Sequence, residues 1–228
     1  WARAAPVHAV RRLLEEALYR PFILLAARPR LEGLERLAGA GAPLLFVCNH
    51  HSQLDAGLFK ALLPPALRGR IAPGMTTRHH PLFYTAAPGP VHRRAGQWIQ
   101  VRLAEFFFHA WPIPQTGVRR SLEIAGELAD AGWSLLIFPE GRHVPEGTME
   151  PFRGGIGLYA RQLGMPVVPA WLEGTGRVLP TGSFIPRPGR TRLVIGEPMA
   201  IDPEMDPAEI ASRLEEAVRR LRPGPGSS

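Results

Sequence analysis

Residues 43–63 read Pro43-Leu44-Leu45-Phe46-Val47-Cys48-Asn49-His50-His51-Ser52-Gln53-Leu54-Asp55-Ala56-Gly57-Leu58-Phe59-Lys60-Ala61-Leu62-Leu63. The apolar run Pro43 to Val47 has the length and composition of a short buried strand. Ala56 to Leu63 reads as a helix that Pro64-Pro65 ends. Between them lie Cys48, six polar residues and Leu54, and strand-to-helix junctions at the edge of an α/β sheet are where ligands bind. A histidine placed there is suited to general-base chemistry, since its ordinary pKa lies near neutrality. Asp55, on this reading about one helical turn into the helix, reaches back to one ring nitrogen of His50. That bond fixes the tautomer and leaves the other nitrogen free to take a proton. The competing reading makes Asn49 and Ser52 helix caps and leaves the histidines on the surface.

On either side of this unit the pattern alternates. Pro6 to Ala27 reads as a helix carrying Leu13, Leu14, Leu18, Phe22, Leu24 and Leu25 among Arg11, Arg12, Arg20, Arg28 and Arg30, with a kink or break expected at Pro21. A basic, partly amphipathic helix of this kind suits a membrane interface, and equally an ordinary packed helix. Leu31 to Leu37 has period-two character and reads as a first strand. Arg70 to Met75, Trp133 to Phe138, Met165 to Trp171 and Thr191 to Ile195 read as further strands. Helices are expected over Gln100 to His109, Gly117 to Ala131, Gly154 to Leu163 and Pro207 to Leu221. Strands alternating with helices predict a mixed, largely parallel sheet covered by helices on both faces. The organisation expected is an N-terminal interfacial segment (1–30), one catalytic domain (31–222) and a flexible tail (223–228).

The stretch from Thr76 to Trp98 is irregular and is expected to be a loop over the site. Its His79, His80 and His92 have no carboxylate or further ligand at a helical spacing, so no metal site is expected. One cysteine excludes an internal disulfide and a cysteine-based zinc site. Cys48 adjoins the motif, but on a buried strand it reads as a core residue and not a nucleophile. No apolar run approaches the roughly 18 residues that span a bilayer. The chain begins with Trp1 and is expected to be trimmed or part of a longer polypeptide.

Net charge is +7, and Lys60 is the only lysine among 27 basic residues. Such a surface favours anionic partners: phospholipid, a phosphorylated ligand, an acidic carrier protein or nucleic acid. A basic module that merely binds one of these is a live alternative, although no nucleic-acid motif is present and the aromatics are not interleaved with the arginines.

Phe138-Pro139-Glu140-Gly141 leaves a second strand. Parallel strands end on one edge, so Glu140 and His50 are expected to face one pocket. With Trp111-Pro112-Ile113-Pro114 and Val167-Val168-Pro169-Ala170, the motifs appear in the order that resembles the four blocks of the glycerolipid acyltransferases, the 1-acylglycerol-3-phosphate acyltransferase family. The resemblance runs from about Leu31 to Pro198, with the first and third blocks the specific ones. It implies a glycerol-3-phosphate-acyltransferase-like fold and transfer of a fatty acyl group from acyl-CoA or acyl carrier protein to a lipid hydroxyl, as in phospholipid biosynthesis. It implies His50 as base and Asp55 as its partner, with Glu140 and Gly141 in acceptor binding. Asn49 and Ser52, beside the histidine, are grouped with the acceptor site.

Two departures bear on the acceptor. The second block usually ends in an arginine that contacts the acceptor phosphate, and here Gln115 stands there. The third usually continues Gly-Thr-Arg, and here Gly141-Arg142-His143. Arg142, Arg119 or Arg153 is expected to compensate. No cofactor is expected beyond the thioester co-substrate, because a thioester is already activated and needs only a base on the alcohol. A hydrolase using the same dyad on water is the second enzymatic reading. With the basic N-terminal segment, a peripheral protein at the cytoplasmic face of an anionic membrane is expected.

Overall fold

The computed structural model describes residues 5–76, 106–113, 118–181, 183 and 185–224. The expectations for the loop after Thr76, with His79, His80 and His92, and for Gln115 lie outside the described residues. So does most of the helix expected before His109, of which residues 106–108 are helical.

The chain enters through α1 (Ala5–Leu14), a π-helical turn (Glu15–Tyr19) and α2 (Arg20–Ala27). The break expected at Pro21 takes the form of this π turn, in which the Arg20 N–H bonds the Glu15 carbonyl. Pro21 has no N–H and its ring crowds the carbonyl four residues back, so a widened turn before it relieves the clash. There follow β1 (Pro29–Glu32), a 3-10 turn (Leu34–Leu37), β2 (Leu45–Cys48), α3 (Asp55–Leu62), α4 (Pro65–Arg68) and β3 (Ile71–Thr76). After β3 come β4 (Trp111–Ile113), α5 (Arg119–Asp130), β5 (Ser134–Ile137), α6 (Gly155–Leu163), β6 (Val167–Glu173), α7 (Thr175–Val178), β7 (Thr191–Ile195) and α8 (Pro207–Arg220). Of the strand expected over Leu31 to Leu37, Leu31 and Glu32 end β1 and Leu34 to Leu37 form the 3-10 turn. Gly33 at φ +78° turns the chain there, and any side chain on it would strike the Ile195 carbonyl.

Seven strands form one sheet in the order β1-β7-β6-β2-β5-β3-β4, parallel throughout except between β6 and β7. β2 lies between β5 and β6, and its four residues are all buried. Strand periodicity divides them between the faces. Leu45 and Val47 join Leu135, Ile137 and Val167 under α5, α6 and α8. Phe46 and Cys48 join Leu136, Phe138, Val168 and Ala170 under α2 and α3, where Phe46 meets Phe59 edge to face at 5.1 Å. Burial on both faces is why β2 reads as an unbroken apolar run.

The N-terminal segment is docked on α3. Lys60 is buried and bonds Glu15 at 2.5 Å and the Phe107 carbonyl at 2.7 Å. Arg20 donates to the Ala61 carbonyl, and the Tyr19 hydroxyl occupies the space a Cβ on Gly57 would take. Its other side is exposed at Val10, Leu13, Leu18, Phe22 and Leu25. Among the described residues no helix is long and apolar enough to cross a membrane.

Candidate active site

β2 and β5 are parallel neighbours, with Val47 opposite Ile137, so the segments leaving their C-terminal ends meet. The first carries His50 and the second Glu140, as the parallel-sheet argument anticipates. His50 Nδ1 lies 2.8 Å from Asp55 Oδ2, and no hydrogen-bond partner to its Nε2 occurs among the described residues. The His50 side chain is 19% exposed. One face of its ring stacks on Phe138, with centroids 4.2 Å apart and planes 15° from parallel. The His143 ring meets it edge to face, also at 4.2 Å.

Asp55 is the first residue of α3, not a residue one turn inside it. The loop 50–54 folds so that its fully buried carboxylate takes the backbone N–H groups of His51 at 2.7 Å and Ser52 at 3.0 Å on the same Oδ2 that meets His50. Burial pushes this carboxyl's pKa up, but the hydrogen bond and charge of His50, with the hydroxyl of Thr175 and the Ser52 N–H, hold it below its ordinary value. Asp55 is therefore a carboxylate placed to orient His50 and to stabilise its protonated form.

Asn49 and Ser52, grouped by sequence with the acceptor site, have their side chains committed to the framework. Asn49 is fully buried; its Nδ2 donates to the Leu172 carbonyl and its Oδ1 accepts the Leu172 N–H, both at 2.7 Å. It extends the β2–β6 pairing by one side chain. Its second N–H lies 2.8 Å from His51 Nε2, while His51 Nδ1 lies 3.3 Å from the Val144 carbonyl. With Asn49 donating, His51 is the Nδ1–H tautomer, buried and engaged at both nitrogens. The Ser52 hydroxyl donates to the Leu179 carbonyl at 2.6 Å and accepts the Leu54 N–H at 3.1 Å.

Glu140 is 2% exposed. Its Oε1 accepts the His50 N–H at 2.9 Å and its Oε2 the Glu150 N–H at 3.1 Å. Burial raises its pKa against the pull of those two N–H groups. Gly141 has φ +69°, and a Cβ there would lie 2.9 Å from the guanidinium carbon of Arg153. The glycine thus lets the arginine lie against the backbone beside Glu140.

The other candidate arginines separate cleanly. Arg142 forms a two-point ion pair with Glu150 and its side chain is 65% exposed. Arg119 lies on the outer face of α5, beside Glu123 at 3.4 Å. Arg153 has no ion pair among the described residues. Cys48 is fully buried, and burial, then the charges of Asp55 and Glu140, push its thiol well above its ordinary pKa, which makes it inert as a nucleophile. Among the described residues no three of His, Cys, Asp or Glu are grouped to hold a metal ion.

Sequence reasoning did not single out Phe138, His143, Thr175 or Glu146 for the site. Phe138 lay inside a quoted motif, and its ring was signalled by strand parity alone.

The model of the Acyltransferase family matches residues 28–173. The chain is 28% identical over 173 residues to the chloroplastic 1-acyl-sn-glycerol-3-phosphate acyltransferase BAT2 of Brassica napus, covering 74% of this chain and 44% of that protein. It is 34% identical over 92 residues to a 1-acyl-sn-glycerol-3-phosphate acyltransferase of Pseudomonas aeruginosa, covering 40% of this chain and 35% of that protein. The chain thus spans under half the length of these relatives. The crystal structure of the 1-acyl-sn-glycerophosphate acyltransferase PlsC of Thermotoga maritima superposes with a TM-score of 0.64 at 22% identity, over 94% of this chain and 79% of that one. That likeness shows the shared fold.

Proposed function

This chain belongs to the Acyltransferase family, and from that premise we propose that it transfers a fatty acyl group from the thioester of acyl-CoA or acyl carrier protein to the hydroxyl of a lysophosphatidate-like acceptor. The observation that carries the reading is the His50–Asp55 pair, with Nδ1 tied to a buried carboxylate and Nε2 open. Nε2 removes the proton from the acceptor hydroxyl as its oxygen attacks the thioester carbonyl carbon. The tetrahedral intermediate collapses, the carbon–sulfur bond breaks, and the leaving thiolate takes the proton back from Nε2. Asp55 stabilises the imidazolium between the two transfers. The reaction forms an ester and a free thiol, and it needs no enzyme nucleophile.

Arg153 supplies the charge for the acceptor phosphate, beside Glu140-Gly141 and not spent on a carboxylate of the described chain. Arg142 and Arg119 are weaker candidates because glutamates neutralise them.

The N-terminal segment holds the site at an anionic membrane, from the cytoplasmic side, as a peripheral anchor. Val10, Leu13, Leu18, Phe22 and Leu25 are each 54% to 75% exposed. In an unbroken α-helix, positions 10, 13, 17, 21 and 24 would share a face; the π turn takes up one extra residue, so 18, 22 and 25 fall into those places. Exposed Arg12, Arg28 and Arg30 flank the stripe.

The test is release of free CoA from acyl-CoA with and without lysophosphatidate. Release that requires the acceptor and forms phosphatidate supports the transferase. Release without acceptor makes the protein a hydrolase, and no release with any acyl-CoA or acyl carrier protein donor leaves a binding module. Flotation with anionic liposomes tests the anchor: Leu13→Glu with Phe22→Glu should abolish it, and salt should weaken it only in part.

A further inference from the structure

The short helix α7 and the residues that flank it lie against the turn that carries His50 and Asp55. The Ser52 hydroxyl donates across it to the Leu179 carbonyl at 2.6 Å, and a Cβ on Gly176 would stand 3.6 Å from the His51 Cβ. Within this contact two buried polar atoms lack partners in hydrogen-bond geometry: Asp55 Oδ1, on a carboxylate whose other oxygen takes three donors, and the Oγ1 of fully buried Thr175. One is an anionic acceptor and the other a donor. Burying either alone costs the full desolvation of that group, whereas joining them satisfies both.

We propose that Thr175 is a positioning residue, its hydroxyl donating to Asp55 Oδ1 and so holding the carboxylate that orients His50. The proposal rests on the reading of His50 as the base. Thr175 is itself clamped. Glu146 accepts the Gly174 N–H at 2.6 Å with one oxygen and the Gly176 N–H at 2.8 Å with the other, bonding the residues on both sides of it. Gly174, at φ +85°, stands where a Cβ would meet the Arg190 carbonyl at 2.2 Å, so the turn has no room to shift. The chain of control runs from Glu146 through the backbone to Thr175, then to Asp55 and His50. Thr175 is also among the groups that favour the ionised Asp55, after burial, which opposes it, and His50.

A hydroxyl donating to Asp55 spreads the carboxylate's charge and lowers the proton affinity of the His50–Asp55 pair. Removing it makes the pair take up its proton at higher pH. Among the described residues, the other titratable groups facing the pair are Glu140 and His143 from the third block, His51 on the same turn and the Cys48 thiol at the end of β2. All are retained in Thr175 variants, so a difference between variants reports the hydroxyl.

The experiment titrates the imidazole resonances of the chain, with histidine labelled in nitrogen-15, for wild type, Thr175→Ser, Thr175→Ala and Thr175→Val. The serine and alanine variants differ by one oxygen atom, which separates the hydroxyl from lost packing. Thr175→Ser should titrate as wild type; Thr175→Ala and Thr175→Val should move the His50 midpoint up by about one pH unit. In acyl transfer the acid limb of kcat/KM should move with it, and kcat should fall roughly tenfold to a hundredfold at unchanged acceptor KM. Alanine and serine variants with the same titration would overturn the proposal. A wild type that transfers no acyl group would sink the function proposed above, and the titration would still decide Thr175.

Discussion

Glu140 and His50 are joined through the backbone and not through the base: the glutamate's Oε1 accepts the His50 N–H at 2.9 Å, and its Oε2 reaches the Glu150 N–H at 3.1 Å. The third motif therefore holds the first in place. Glu140→Ala strands two N–H groups, each costing about 1–3 kcal/mol if it stays buried. We expect kcat to fall tenfold or more with acceptor KM little changed, because the loss is in the placing of His50. Steady-state kinetics with acceptor varied checks this; a loss confined to acceptor KM would put the carboxylate on the acceptor instead.

Adjacent histidines should separate by what they lose. His50→Ala removes an open ring nitrogen from a part-exposed site, so turnover should drop a hundredfold or more while the unfolding midpoint in urea barely moves. His51→Ala removes a buried ring bonded at both nitrogens, leaves Asn49 short of a partner and opens a cavity. About 2–4 kcal/mol of stability should go with it. Equal stability of the two variants would contradict the division of roles.

The pH dependence of stability tests Asp55. Its folded-state pKa lies below the ordinary 3.8, so between those values the unfolded chain binds more protons than the folded one. The stabilisation is fully present above 3.8 and drains away as pH falls through the lower folded value. The difference in thermal midpoint between wild type and Asp55→Asn should shrink as pH falls below about 3.8. A gap that persists unchanged at the lowest pH where both proteins fold would show that Asp55 is not charged in the folded state.

How much of this was legible follows from what each residue's signal depends on. β2 announces itself because burial on both faces demands an unbroken apolar run. His50 and Asp55 are legible because the five-residue spacing lies within one connection and the local chain can close it. The start of α3 was misplaced by one residue since Asp55 caps the N–H groups before it, and a spacing does not reveal which way a carboxylate turns. Asn49 reads as a site residue by adjacency, yet its partner Leu172 lies 123 residues away, set by the order of strands in the sheet. The antiparallel β6–β7 pair was hidden for the same reason: strand direction is a property of the connection between 174 and 190, not of either strand. Glu146 sits in no motif, and only the fold brings it to Gly174 and Gly176.

The acceptor site gives the last prediction, since sequence offered Arg142, Arg119 and Arg153 for it. The structure sets Arg142 against Glu150 in a two-point ion pair at an exposed edge, where removing it costs little beyond a surface contact. Arg153 lies over Gly141, where a Cβ would stand 2.9 Å from its guanidinium carbon, and that guanidinium meets no carboxylate among the described residues. A phosphate that binds Arg153 need not first displace an ion pair. Arg153→Ala should therefore raise KM for lysophosphatidate by roughly ten- to a hundredfold, the worth of a charged hydrogen bond of about 1.5–3 kcal/mol. Arg142→Ala should change it less than threefold, and neither variant should alter the rate with uncharged monoacylglycerol. Gly141→Ala should mimic Arg153→Ala, because its methyl group would push the guanidinium aside as well as strain a backbone at φ +69°. Measured KM values for both acceptors across the three variants decide the matter: a lysophosphatidate-specific loss in Arg142→Ala and none in Arg153→Ala would return the phosphate to Arg142.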